Sequence, residues 1–270
     1  MKPITPESGP AYLFCPASRP DRYQKALDAA DFAILDLEDA VAPADKAAAR
    51  QALIDNPVDP DAVIVRVNAI GTPEHELDLE ALTQTEYGRI MVPKAEDPEE
   101  IANLDRFELI ALCETARGVL RAPAIADVPC IVALMWGAED LIASLGGRSS
   151  HRDGGQLRDV ALQARSLVLL SARGAGKAAL DAVVVDTQDL TSFKRETIDA
   201  AASGFVGKGC VHPSQALLVR QLFVPTEDEV TWARDVLEAG AEDGVRLLNG
   251  QMIDEPHLRL ARSILAAARQ

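Results

Sequence analysis

Short apolar runs alternate with amphipathic stretches along most of this chain. Tyr12–Cys15, Phe32–Leu37, Ala62–Val67, Ile90–Val92, Leu109–Cys113, Ile131–Trp136, Ala182–Val185 and Gly209–His212 are each three to six residues long. They are too short for typical helices and read as strands buried on both faces. Helical spacing lies between them. Asp21–Ala30 puts Tyr23, Ala26 and Leu27 on one face, and Pro43 suits the first turn of Ala44–Ile54. Gly71-Thr72-Pro73 breaks the chain before a helix over Leu77–Leu82. Further helices are predicted at Pro98–Leu104, Ala116–Ile125, Asp140–Leu145, Gln156–Ala172, Leu190–Ala202 and Pro213–Leu222. Gly146–Gly155 is a polar, glycine-rich loop.

Eight such repeats ending near residue 222 predict a parallel sheet with helical crossovers. Eight units in this length favour an α/β fold of the closed (β/α)8 TIM barrel type over an open, doubly wound sheet. The barrel is assigned to residues 1–225. The remainder, 226–270, holds two more helical stretches, Glu227–Ala241 and Pro256–Ala268, joined through Gly250, Met252 and Asp254. A closed barrel has no place for them, so they are expected to form a lid or an intersubunit arm.

Composition narrows this picture. A chain of 270 residues can be one large domain, and 48% hydrophobic with 26% charged residues is ordinary for a globular protein. A formal net charge of −15 argues against a general nucleic-acid or anionic-membrane binder. An anionic small ligand is still admissible if local arginines and lysines face it. Cys15, Cys113, Cys130 and Cys210 lie in or beside apolar runs without a C-x-x-C, which suits reduced cysteines in the cytoplasm. The N-terminus lacks an apolar signal core, and no apolar stretch approaches the length of a membrane span.

In such a barrel the chemistry collects at the carboxyl ends of the strands. Taken in order, the strand ends offer Arg19; then Asp36, Glu38 and Asp39; then Arg66, Lys94, Glu114, Asp140, Asp186 and His212. Glu114 and Asp140 close two consecutive apolar runs, 26 positions apart. Two strand-end carboxylates suit a hard divalent cation such as Mg²⁺, with substrate oxygens and water completing its shell. The plainer alternative is a pair of solvated loop acids. Arg19 and Arg66 can each clasp a carboxylate through two N–H groups. The G-x-G-x-x-A match at Gly174–Ala179 follows a helix and precedes a strand, the reverse of a dinucleotide fingerprint. His212, followed by Pro213, reads as a structural residue or one that supports the ligands, rather than a metal ligand itself.

Five stretches carry a specific resemblance: LFCPASRP at Leu13–Pro20, ILDLEDAV at Ile34–Val41, VRVN at Val65–Asn68, ETARGV at Glu114–Val119 with GAEDL at Gly137–Leu141, and GKGCVHPSQ at Gly207–Gln215. A sixth is GQMIDEP at Gly250–Pro256. Together they resemble the citrate lyase β-subunit-like group of the HpcH/HpaI aldolase family, whose fold is a Mg²⁺-dependent (β/α)8 barrel. The resemblance makes Glu114 and Asp140 the metal ligands. It makes Arg66 the grip on the substrate's acyl or carboxylate end, with Arg19 as a second contact. Asp36 becomes an acid near the metal's water ligands. Asp254 becomes a proton donor or acceptor contributed by a neighbouring subunit, with Glu38 or Asp39 as the second candidate. Lys94 joins the substrate contacts, and Arg22 and Lys25 are candidate contacts for the phosphates of coenzyme A. Ala17 stands where the family often has Gly, and Ala95 where it often has a β-branched residue.

The implied activity is reversible carbon–carbon cleavage of a β-hydroxyacyl-CoA of malyl, citramalyl or hydroxymethylglutaryl type. The implied partners are an acyl-CoA thioester, a 2-oxo acid and further copies of the chain, as a trimer or hexamer. The rival readings are the β subunit of a citrate lyase complex acting on a citryl thioester, a CoA-independent class II aldolase of 2-oxo acids, and a non-catalytic metabolite-binding protein.

Overall fold

The computed structural model describes residues 1–239, 246–248 and 250–268. Eight parallel strands close on themselves in sequence order. They are β1 (Ala11–Pro16), β2 (Phe32–Asp36), β3 (Val63–Arg66), β4 (Arg89–Val92), β5 (Glu108–Cys113), β6 (Ile131–Trp136), β7 (Ala178–Asp181) and β8 (Gly207–Cys210). Closure is made by β1 on β8, where Tyr12 lies opposite Gly209. The connecting helices are α1 (Tyr23–Ala29), α2 (Lys46–Asp55), α3 (Pro73–Leu82), α4 (Pro98–Ala102), α5 (Ala116–Ala126), α6 (Ala138–Ser144), α7 (Asp159–Gly174), α8 (Leu190–Ser203) and α9 (Pro213–Leu222). The fold is a (β/α)8 barrel with C-terminal helices.

The barrel interior is a packed core, filled by alternate side chains from the strands. Tyr12, Phe32, Ile34, Ile64, Met91, Ile110, Met135 and Leu180 belong to it, with the Tyr12 and Phe32 rings stacked 4.8 Å apart. Gly207 is needed here, because a Cβ on it would lie 2.4 Å from the Tyr12 ring. These side chains plug the barrel from within, so ligand chemistry is confined to its ends.

Two strands lie earlier in the chain than expected. β7 occupies Ala178–Asp181, not Ala182–Val185, and β8 occupies Gly207–Cys210, not Gly209–His212. The Val183–Val185 triplet has the higher strand propensity, but pairing of Met135 with Leu180 fixes the register four residues earlier. Val185 is left exposed beyond the strand end. Helix α3 begins four residues earlier than expected, at Pro73, with Thr72 accepting the His75 amide as its N-cap. The proline read as a breaker is a first-turn residue.

Packing divides the chain into Met1–Val219 and Arg220–Gln270. The second unit holds α10 (Glu227–Ala239), a hairpin of β9 (Arg246–Leu248) and β10 (Gln251–Ile253), and α11 (Glu255–Ala267). Ala233, Val236, Ile253 and Ala261 form its own small core. The expected helix over Glu227–Ala241 runs to Ala239, and residues 240 and 241 lie outside the described residues. The hairpin was not anticipated. All four cysteines are free. No helix among the described residues is long and apolar enough to cross a membrane.

Candidate active site

The carboxyl ends of β2 to β6 gather charge in one place. Asp36 and Arg66 are register partners at the ends of adjacent strands. Arg66 therefore donates to both Asp36 oxygens, from Nε at 2.7 Å and from Nη2 at 2.6 Å. Asp36 also accepts the backbone N–H groups of Glu38 at 2.9 Å and Ala40 at 3.1 Å. Its acceptor sites are thus spent on Arg66 and on the turn that carries Glu38. Arg66 Nη1 lies 3.0 Å from Glu38 Oε2, and the guanidinium sits 4.9 Å above the Phe14 ring. Three of its five N–H groups face Asp36 and Glu38, leaving two for a ligand.

Lys94 is the pivot of the rim. It is the only non-glycine residue with positive φ among the described residues, at 49°. That conformation is uncommon for a side chain of this size and marks a constrained position. It directs the Lys94 backbone N–H at Glu114 Oε1, 3.0 Å away. The ammonium group reaches Glu38, lies 3.5 Å from Asp140 and 3.9 Å from Asp39. Glu114 and Asp140 are therefore bracketed by one residue and face the same space.

The turn after Glu114 is built to hold it. Thr115 caps α5 by accepting the Gly118 N–H, and Ala116 N donates to Ser144 Oγ at the far end of α6. Gly118 and Gly137 cannot carry side chains here. A Cβ on Gly118 would lie 2.3 Å from the Ala95 carbonyl oxygen, and one on Gly137 would lie 2.8 Å from Glu114 Cβ and Oε2.

Four carboxylates (Asp36, Glu38, Glu114 and Asp140) meet only two cations, Arg66 and Lys94, in this cluster. Burial and then the charge of Asp140 push the Glu114 carboxyl up to about 8. Burial also raises Glu38, against the pull of Arg66 and Lys94. Glu38 Oε2 is buried and makes no directed hydrogen bond despite its nearness to Arg66. An excess of buried negative charge with an under-used oxygen is a place for a cation. No group of three or more His, Cys, Asp or Glu is arranged as a ligand set among the described residues. The donor set fits a hard ion that takes one or two carboxylates and fills its shell with ligand oxygens and water.

Beside this cluster lies a cavity of about 570 Å³, lined by Phe14, Cys15, Arg19, Arg22, Lys25 and His212 among others. Arg19 is engaged with Asp21, at 2.9 Å and 3.0 Å. Phe14 joins the two regions, because it lines the cavity and underlies Arg66. The expected phosphate contacts Arg22 and Lys25 thus share one recess with Arg19.

Other expected site residues do not end strands. Asp186, read as the end of the seventh strand, lies in the loop after β7 and accepts the Gln188 and Asp189 amides. His212, read as the end of the eighth strand, is exposed and bonded to Ser214. Both displacements follow from the strand registers. Asp254 belongs to the C-terminal unit, where it is the N-cap residue of α11 and bonds to His257.

The residue that does end β7, Asp181, was missed. It is fully buried and accepts from Lys208 Nζ at 2.7 Å, Arg165 Nε at 2.8 Å and Trp136 Nε1 at 2.7 Å. Also missed were the Phe14 contact and a string of polar side chains from Glu139 to Glu196. These meet only through folding, although the lone acid closing the AALD run was a signal for Asp181.

Barrel, carboxylate excess and facing arginine define a class: enzymes that bind a hard cation and an oxo-acid at the carboxyl rim of a (β/α)8 barrel. Within that class the chain belongs to the HpcH/HpaI aldolase/citrate lyase family, which matches residues 11–213. It is a carbon–carbon lyase of that family. It is 50% identical over 262 residues to the citrate lyase subunit beta-like protein of Mycobacterium tuberculosis (97% of this chain, 96% of that protein). It is 33% identical over 272 residues to the mitochondrial citramalyl-CoA lyase of Mus musculus (88% of this chain, 79% of that protein). The crystal structure of CitE from Mycobacterium tuberculosis with magnesium, acetoacetate and coenzyme A superposes with a TM-score of 0.96. That protein is 49% identical, and the match covers 98% of this chain and 100% of that one.

Proposed function

We propose that this protein cleaves and forms β-hydroxyacyl-CoA thioesters of the malyl, citramalyl or hydroxymethylglutaryl type. The observation that carries this reading is the surplus of carboxylate around Glu114 and Asp140, facing a pre-oriented Arg66. Glu114 and Asp140 would hold Mg²⁺, the ion bound by the superposable relative. When bound, the ion supplies a Lewis acid and a two-point template for oxygens of the 2-oxo acid.

The chain's own residues supply the rest. Asp36 and Glu38 lock the Arg66 guanidinium, so its two free N–H groups point at the oxygen on which charge changes during cleavage. Such pre-orientation avoids reorganisation at the moment of reaction. Cleavage removes the hydroxyl proton, breaks the bond between carbinol carbon and thioester α-carbon, and leaves an acyl-CoA enolate. A side chain must then deliver a proton to that α-carbon. Asp254 of a neighbouring subunit is our first candidate, with Glu38, whose carboxyl is raised by burial, as the second. The 226–270 segment would serve as the intersubunit arm of a cytoplasmic homo-oligomer, a trimer or hexamer.

Arg19, Arg22 and Lys25 would take the phosphates of coenzyme A in their shared cavity. Lys94 would contact the substrate and hold the acids apart before it arrives. Two CoA-independent or multi-subunit readings use the same rim: a free 2-oxo acid aldolase, and the β subunit of a citrate lyase complex.

Mass-spectrometric analysis of a small hydroxyacyl-CoA panel, with Mg²⁺ and with EDTA, separates these. Formation of a shorter acyl-CoA and a 2-oxo or 3-oxo acid, abolished by EDTA, is the expected result. Free CoA released with the intact hydroxy acid would mark thioester hydrolysis instead. Cleavage of free hydroxy acids alone would mark the aldolase. Turnover that persists in EDTA would remove the metal mechanism.

A further inference from the structure

Asp140 sits on an unusually small support. Its helix, α6, has seven residues, about two turns, too few to be stable without tertiary ties. The structure shows one tie at each end. At the C-terminal end, Ser144 Oγ accepts the Ala116 N–H, two residues beyond Glu114. At the N-terminal end, Glu139, the immediate neighbour of Asp140, is bonded to Ser150 Oγ at 2.6 Å.

Ser150 is itself held. It is buried, and its Oγ is 2.7 Å from His151 Nδ1. His151 Nε2 in turn is 3.0 Å from Glu196 Oε1 on α8. Counting protons gives this string a direction. Ser150 has one hydroxyl proton, and the Glu139 carboxylate only accepts. Ser150 therefore donates to Glu139 and accepts from His151 Nδ1–H. The other ring nitrogen faces a second carboxylate, which also only accepts. The complete string needs His151 to donate from both nitrogens at once. Glu196 is anchored from behind, with Oε2 4.0 Å from the buried Lys208 ammonium.

We propose that His151 is a positioning residue for the metal site: through Ser150 and Glu139 it fixes the first turn of α6, and with it Asp140, against the anchored α8. The inference rests on the reading of Asp140 as a metal ligand. Outer residues that orient ligands are commonly worth about tenfold or more in metal affinity.

The test measures Mn²⁺ binding to the full chain by electron paramagnetic resonance, with thermal melting as a control for folding. Asp140→Asn is expected to abolish binding, and His151→Ala to weaken it about tenfold. Ser150→Ala, which cuts the same link without touching the histidine, is expected to match His151→Ala. Two further variants divide the role. The amide nitrogen of Asn stands near Nδ1, so His151→Asn keeps the link to Ser150. That of Gln stands near Nε2, so His151→Gln keeps only the link to Glu196. Each variant leaves the string cut on one side, so neither is expected to recover Mn²⁺ affinity. A folded His151→Ala or Ser150→Ala that binds Mn²⁺ as the wild type does overturns the inference, as does full recovery by either Asn or Gln. Wild-type binding by Asp140→Asn would instead overturn the ligand reading, and this inference with it.

Discussion

Two ion clusters lie in this barrel, and they are built to opposite ends. Between β7, β8 and the outer helices, Asp181 meets Lys208 at 2.7 Å and Arg165 Nε at 2.8 Å. Burial alone would raise the Asp181 carboxyl, but the two cations outweigh it and hold the group below the ordinary aspartate range. At the mouth, between β2 and β6, four acids share two cations, and Glu114 is driven up to about 8. The same ingredients, buried carboxylate and buried cation, give a closed structural clamp in one place and an open receptor in the other. What differs is contact: Asp181 accepts directly from both cations, whereas Glu114 accepts a backbone N–H and faces another acid, and such a group calls for a cation.

The largest effect that would break this comparison comes from Glu114→Gln. Removing one of the two carboxylates proposed to hold the metal is expected to lower kcat/KM by on the order of 10³. It should leave the urea midpoint at pH 8 unchanged or raised, because a strained charge is gone. A large loss of stability there would make Glu114 part of a clamp, not a receptor. Lys208→Met is the mirror experiment. Taking one of its two cations from Asp181 should cost roughly 3–5 kcal/mol in urea unfolding, the loss of stability that Glu114→Gln does not show.

Arg66→Lys keeps the charge but loses the two-pronged hold on Asp36. A drop in kcat of about a hundredfold is expected, with the fold intact by circular dichroism. Gly137→Ala should act more gently. Its methyl group displaces Glu114, so Mn²⁺ affinity should fall by about tenfold, and the melting temperature should fall too because the clash reaches Glu114 Cβ.

The smallest effect sharpens the comparison through pH. Glu114 rises from 4.5 to about 8 on folding, so between those values the folded chain binds more protons than the unfolded one. Its contribution is present below pH 4.5 and is lost as pH rises to about 8 in metal-free protein. Asp181 has the opposite sign. Its carboxyl is lowered from 3.8, so its contribution is present above that pH and is lost as pH falls below it. Urea midpoints across pH, in EDTA and in Mg²⁺, read both. Saturating Mg²⁺ should flatten the decline toward pH 8 and leave the acid limb unchanged.

Most strands of the barrel, and the rim acids of β2, β5 and β6, were legible along the chain. An apolar run that ends in an acid and a turn carries its own instruction. The failures share one cause. At β7 the Val triplet outbid Ala178–Asp181, and at β8 a glycine-rich segment hid the strand. Barrel closure sets those registers, and closure is a property of eight strands at once. The misplaced ends made strand-end residues of Asp186 and His212, which lie in the following loops, and concealed Asp181. The role of Asp36 was half visible: its position at a strand end was, but its commitment to Arg66 depends on cross-strand register.

The linear pattern by itself determined the architecture and the chemical inventory, because hydrophobic period and strand-end residue type are local quantities. Tertiary structure alone decided which charges are balanced. Whether an aspartate is a clamp or a receptor depends on how many cations face it after burial, and the partners come from strands and helices far apart in the chain. Lys94 reaches Glu38, Asp140 and Glu114 only because its backbone turns through a positive φ at the end of β4. His151 reaches Glu196 across 45 residues for the same kind of reason: the loop and α8 are brought together by the closed barrel beneath them.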